Sequence, residues 1–362
     1  MATITAAMVK ELREMSGAGM MDCKKALNET DGNMDEAFEY LRKSGIAKAE
    51  KKAARIAAEG ICRVSIEGNN AAVVEVNSET DFVAKNEIFQ NFVEAVAVQA
   101  LRTTAADAEG MLSDAWLSDT SKTVKDVLVE KTATIGEKLS IRRFARVNGD
   151  AVVSYIHGGG KIGVLVAGNG AGNGDDVKEA LSNVAMQVAA MNPKYVSKND
   201  ISADELAKLH DVTLESALND PSTLPRPLQN KLFDRALKEN KFAEADVAAY
   251  NEQKNNKFLF NFLSDDAKSA LAALAMEEKE SFAADKIFAG LVDGRVQKHL
   301  KEICLLDQTY VKAEDGKQTV SGYLATVNKS LAIATFVRFE VGEGMEKKNE
   351  NFAEEVAKQM GM

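Results

Sequence analysis

Three places in the chain carry residue types that could do chemistry. The first is His157-Gly-Gly-Gly160. An H-G-G-G run forms part of the oxyanion hole in some lipases, and that chemistry also needs a serine on a G-x-S-x-G elbow between strand and helix. No such pentapeptide occurs, so a turn between two strands is the stronger reading. The second is Gly168-Asn-Gly-Ala-Gly-Asn-Gly174, ahead of a helix-like run. It lacks the G-K-[S/T] ending that would bring a lysine to a phosphate, and its spacing is not G-x-G-x-x-G, so it reads as a turn. The third is Asn77-Ser-Glu-Thr-Asp-Phe-Val-Ala-Lys-Asn-Glu87, where the aromatic Phe82 stands in a polar turn. Thr80 and Asp81 suit a helix N-cap, and Phe82 then either folds back onto its own lobe or is displayed to a partner. The residues alone leave both open. The same question covers Met20-Met21, soft side chains just after a glycine turn that are more often core than contact.

Composition narrows the classes. In 362 residues, 45% hydrophobic and 28% charged is a globular balance, long enough for two or three domains. A net charge of −10 argues against a chain whose main task is coating nucleic acid or an anionic membrane. Cys23, Cys62 and Cys304 are too far apart for a C-x-x-C site and suit reduced thiols, so neither a metal nor a cofactor is expected, and the cytoplasm is the expected compartment. The longest apolar runs, such as Ala270 to Met276, fall well short of the ~20 residues that span a bilayer. His210 and His299 lie in charge-rich helical surroundings and read as surface histidines, so no catalytic residue is assigned.

The elements that must position these residues follow from periodicity. Val9, Leu12 and Met15; Met21, Ala26 and Leu27; and Met34, Ala37, Phe38 and Leu41 predict three short helices, the third capped by Asn33. The basic run Arg42 to Arg55, with Lys43, Lys48, Lys51 and Lys52, reads as a solvated helical linker. Ile61 to Glu67, the turn Gly68-Asn-Asn70 and Ala71 to Asn77 alternate as a hairpin. Phe89, Phe92, Val93, Val96, Ala97, Ala100 and Leu101 mark one face of a helix. Ile141 to Val147, Ala151 to His157 and Lys161 to Ala167 then predict three strands of a second lobe, with Val177, Leu181, Val184, Ala185 and Val188 on its helix. The fold class is α+β, two lobes of small antiparallel sheets with helices. Beyond Pro193 the chain turns helical and charged until Leu331 to Val341, a strand predicted to pair back into the second lobe.

Taken in order, Val9 to Arg13, Gly17 to Leu27, Glu75-Val-Asn77 with Thr80 to Lys85, Ile141-Arg-Arg143, Ser154-Tyr155 with His157-Gly158, Ile162 to Val166, and Val337 to Gly344 resemble the elongation factor Ts family. These are guanine-nucleotide exchange factors of elongation factor Tu. The resemblance covers nearly all of residues 1–198 and about 285–360. It implies a three-helix, ubiquitin-associated-like domain with its linker over 1–55, core lobe 1 over 56–140, and core lobe 2 over 141–198 plus 309–344. It further implies an inserted helical arm or dimerisation module over 199–308 and a C-terminal helix over 345–362.

By the same resemblance, Thr80, Asp81, Phe82 and Val83 push into the G domain of GDP-bound elongation factor Tu and dislodge its Mg²⁺. Leu12, Met20, Met21, His157, Phe352 and Val356 are the other implied partner contacts. The family binds its partner GDP-bound or nucleotide-free, releases GDP and allows GTP to enter, with no covalent chemistry. A homodimer or two-by-two complex through the arm belongs to the same implication, with neither nucleic acid nor membrane as partner. Between about Val212 and Ala284 the chain is longer than the bacterial pattern, and the arm reads as dimerisation module or rigid spacer. The rival readings are an esterase-like enzyme built on His157 and an RNA-binding translation protein using Lys43 to Arg55.

Overall fold

The computed structural model describes residues 3–346. The expected C-terminal helix, with Phe352 and Val356, lies outside them. The chain divides into two compact units, one of Met1–Asn192 with Tyr310–Met362 and one of Pro193–Thr309.

The first unit opens with α1 (Ala6–Ser16), α2 (Met20–Glu29) and α3 (Met34–Lys52). Thr5 caps α1 by accepting from the Met8 amide, and the Asn33 side chain accepts from the Asp35 and Glu36 amides at the start of α3. Leu12, Cys23, Ala26, Leu27 and Ala37 form a fully buried core between the three helices. Met15, expected on the stripe of Val9 and Leu12, turns to solvent instead. The basic run from Arg42 is part of α3 as far as Lys52. Leu12→Ala should cost this small domain about 2–5 kcal/mol through lost burial and a residual cavity. Urea unfolding followed by circular dichroism checks it.

Next come β1 (Glu59–Glu67), β2 (Asn70–Ser78), the one-turn α4 (Asp81–Ala84), α5 (Glu87–Arg102), α6 (Ala108–Met111), β3 (Ala115–Trp116), β4 (Asp119–Thr123) and α7 (Val124–Ile135). They are followed by β5 (Ser140–Asn148), β6 (Ala151–His157), β7 (Ile162–Asn169) and α8 (Asp175–Met191). The second unit contributes α9 (Ala203–Asn219), α10 (Arg226–Lys238), α11 (Glu244–Gln253), α12 (Asp265–Glu277), α13 (Lys279–Ala283) and α14 (Lys286–Ile303). The chain returns to the first unit as α15 (Val320–Val327) and β8 (Ala332–Glu340).

Two three-stranded antiparallel sheets, β1-β2-β5 and β6-β7-β8, pack face to face. Helix α5 covers the outer face of the first sheet and α8 that of the second. This layering explains why β2 is buried almost throughout. Ala71 and Val73 join Cys62, Val147, Leu165 and Phe339 between the sheets, while Ala72, Val74 and Val76 meet Phe89, Phe92, Val93 and Val96 on the helical side. Gly163 marks the closest approach, since a Cβ there would lie 2.8 Å from that of Cys62. Trp116 of the small β3-β4 hairpin stacks on Phe92 with ring centroids 6.1 Å apart.

One assignment from the sequence is corrected. Ile141 to Val147 was expected in the second lobe, but β5 pairs with β2 in the first sheet, Val74 opposite Phe144. Asn148-Gly-Asp150 is therefore the crossing between sheets, and the third strand of the second sheet is β8, paired with β7. An alternating run shows which residues share a face and says nothing about which strand lies beside it.

A buried charge network ties the first sheet to the end of β8. The Glu75 carboxylate accepts from Arg142 Nη1 at 2.8 Å, Arg143 Nε at 2.6 Å and the Gly342 amide at 2.9 Å. Arg143 also donates to the Glu340 carbonyl and stacks its guanidinium 4.2 Å from the centre of the Phe339 ring. The arginine pair and the Val337 to Gly344 segment thus have a structural task. Burial works against the charged Glu75, but the Gly342 amide and the two arginines overcome it and hold the carboxyl below its ordinary range.

The second unit has its own core of Leu218, Leu232, Phe233, Leu271, Phe282, Phe288 and Leu300. Phe233 stacks on Tyr250 with centroids 4.6 Å apart. Its ends are held together where Tyr195 bridges to Cys304 and the Lys194 amide donates to the Ile303 carbonyl at 2.8 Å.

Candidate functional site

The segment from Ser78 to Asn86 folds as a tip between β2 and α5. Thr80 is extended and caps α4, accepting from the Val83 amide at 3.4 Å, and Asn86 caps α5 by accepting from the Ile88 and Phe89 amides. One turn of helix has two inward positions here, Val83 and Ala84, which join the core with Phe89. Phe82 falls on the outer side and is 79% exposed.

Asp81 stands beside it. Lys85 Nζ donates to Asp81 Oδ2 at 2.7 Å and lies 5.9 Å from the centre of the Phe82 ring. The Lys85 hydrogen bond holds the Asp81 carboxyl below its ordinary range, so it is a carboxylate at neutral pH.

A second segment fastens the tip from 57 residues away. Glu137 Oε2 accepts from the Glu79 amide at 3.1 Å and the Thr80 amide at 3.0 Å, and Glu137 Oε1 accepts from Thr80 Oγ1 at 2.7 Å. In return Glu79 Oε1 accepts from the Lys138 amide at 2.6 Å. Sequence reasoning missed Glu79, Glu137 and Lys138, because no local spacing signals a contact of this range.

His157 ends β6 and is exposed, with Nδ1 3.1 Å from the Tyr155 hydroxyl. The glycines after it make a tight turn against β1. Gly160 has φ of +112°, and a Cβ there would lie 2.7 Å from Arg63 Nη1 and 3.0 Å from Ile61 Cβ. This accounts for the H-G-G-G run without an oxyanion hole. The turn and α4 both pack on β1, and Lys161, just past the turn, ion-pairs with Glu59 and is close enough for its charge to act on Asp81. The fold so brings the two motifs to one edge of the first sheet.

The other predicted residues separate. Met20 and Met21 are 58% and 76% exposed on α2, but Leu12 is wholly buried in the three-helix core. Leu12 is therefore corrected from a surface contact to a core residue, since it shares its helix face with Val9. In the Gly168 to Gly174 loop, the Gly170 amide donates to Asp150 Oδ2 at 2.8 Å, which serves the turn. Among the described residues no group of His, Cys, Asp or Glu is arranged to hold a metal, and no helix is long and apolar enough to cross a membrane. Burial, aided by the charge of Glu75, pushes the Cys62 thiol up to about 12, which removes it as a nucleophile at neutral pH.

Fold and site define a mixed helix-and-sheet protein that presents a fastened aromatic and acidic tip outward. The profile of the family described as Elongation factor TS matches residues 79–343. A protein named Elongation factor Ts from Clostridioides difficile (strain 630) is 43% identical over 366 aligned positions, covering 99% of this chain and 100% of that one. The chain belongs to the elongation factor Ts family, a family of translation elongation factors.

Proposed function

We propose that the chain is a cytoplasmic guanine-nucleotide exchange factor for elongation factor Tu. It binds the GDP-bound form, dislodges Mg²⁺, promotes release of GDP and leaves as GTP enters, making no covalent bond. The observation that carries this reading is Phe82, 79% exposed on a turn whose start is fastened through Thr80.

The physics of such a wedge is simple. A G protein holds GDP through backbone amides around the phosphates and through Mg²⁺ bridging their oxygens. An aromatic ring that fills a gap between the supporting elements separates them without touching the base. Its burial supplies about 2–3 kcal/mol. Weakening the nucleotide by about 10⁴-fold needs a coupling of about 5.5 kcal/mol, and the nucleotide weakens the factor by the same amount. One ring falls short of that, so further contacts are required. Met20 and Met21 on α2, and His157 beside the tip, are exposed and supply candidates. Thr80 and Val83 act by holding the ring, and the Asp81 carboxylate brings negative charge to the metal's surroundings. The three-helix segment and the paired sheets are on this view separate contact parts, and the arm is a dimerisation module or spacer.

The test is release of a fluorescent GDP analogue from elongation factor Tu, followed by stopped flow with rising amounts of the protein. Release should accelerate by about 10²-fold or more at saturation and fall back when excess Mg²⁺ competes. Release at the unassisted rate with the protein in excess would refute the proposal.

A further inference from the structure

The tip has a fastening that its local sequence does not provide. Helix α4 has four residues, and its side-chain N-cap bond, from the Val83 amide to Thr80 Oγ1, is 3.4 Å long. A single turn with so weak a cap does not hold its shape in water. Glu137 answers this with three bonds to the segment just before the helix, at 3.1, 3.0 and 2.7 Å. Two are charge-assisted bonds to backbone amides and therefore fix the chain itself rather than a side chain. Glu79 Oε1 in return accepts from the amide of Lys138, the residue after Glu137, so the two segments are bonded in both directions. The end of α3 and the residues just after it close the arrangement. Lys52 Nζ donates to the Gly136 carbonyl at 2.5 Å, Arg55 Nη1 reaches both Glu79 oxygens at 3.3 Å, and Lys138 Nζ donates to the Arg55 carbonyl at 2.8 Å.

We propose that Glu137 is a positioning residue for nucleotide exchange, setting the direction in which Phe82 points through its bonds to the Glu79 and Thr80 backbone. The proposal rests on the reading of Phe82 as a wedge. A wedge works only if the force of docking is delivered through a rigid base. A tip free to swing lets the ring find a less demanding place on the partner, and the nucleotide site stays closed. The loss then falls on the rate within the complex, while the affinity of the first encounter, made over the rest of the surface, is kept.

The experiment is a double-mutant cycle on GDP release from elongation factor Tu, using the full chain. Glu137→Gln should lower the saturating rate about 10-fold, as misplacement of a working group does, with the half-saturating concentration changed less than about 3-fold. In the Phe82→Ala background the same substitution should change the rate by less than about 2-fold, because it acts through the ring. Amide hydrogen exchange should quicken at Glu79 and Thr80. A Glu137→Gln variant at the full rate, or one whose effect multiplies with that of Phe82→Ala, overturns the proposal. If Glu137→Gln does not fold, Glu137→Asp, which keeps the charge but is one methylene shorter, runs through the same cycle with the same outcomes. A Phe82→Ala variant that exchanges at the full rate would sink the wedge itself, a result distinguishable from failure of Glu137 alone.

Discussion

Phe82→Ala should slow factor-stimulated GDP release from elongation factor Tu by roughly 10- to 100-fold while leaving the fold intact. The range corresponds to loss of a contact worth about 1.4–2.8 kcal/mol. The stability of the free protein should change by no more than about 0.5 kcal/mol, as for a surface position. That separation is possible because the two inward residues of α4, Val83 and Ala84, carry its packing, while the ring of Phe82 lies in solvent. Stopped-flow release and thermal unfolding of the same preparation check both halves. A folded variant with normal release would remove Phe82 from the mechanism.

Glu75→Ala should have the larger effect on stability, a loss of about 3–5 kcal/mol. Removing one partner of a buried ion pair leaves the other uncompensated. Here the substitution takes the shared carboxylate from Arg142, Arg143 and the Gly342 amide together. Trp116, the chain's single tryptophan, is buried against Phe92 on the helical side of this sheet and reports its unfolding by fluorescence in urea. The pH dependence has a definite sign. The folded protein holds the Glu75 carboxyl below its ordinary value, so the unfolded chain takes up that proton first as pH falls. The stabilisation is full above the unfolded value, about 4.3, and is lost as pH drops through the folded one. Wild type should therefore lose stability on acidification over that window, and Glu75→Ala should lack this contribution. An equal slope in both proteins would show that Glu75 is not the group concerned.

Much of the scaffold was legible because its signals are local. The faces of α5 and α8 follow from apolar residues at helical spacing, and Phe89, Phe92, Val93, Val184 and Val188 are buried as that spacing requires. Asn33 and Thr80 act as the caps their side chains suit. The hairpin of β1 and β2 turns at Gly68 as its alternation predicts. The ordered motifs sufficed for the family.

The tertiary structure decided what depends on distant partners. Chain geometry alone determines that Val9 and Leu12 share a helix face and that β2 alternates, because both periods are properties of the backbone. Whether Leu12 or Met15 faced the core, and whether β5 joined β2 or β6, depended on surfaces supplied from elsewhere in the chain. The same is true of Phe82. Its neighbours specified a capped turn, but only the burial of Val83 and Ala84 and the bonds of Glu137, 57 residues away, turned the ring outward and held it there. Energies of that kind arise from packing between segments, and no pattern within either segment records them.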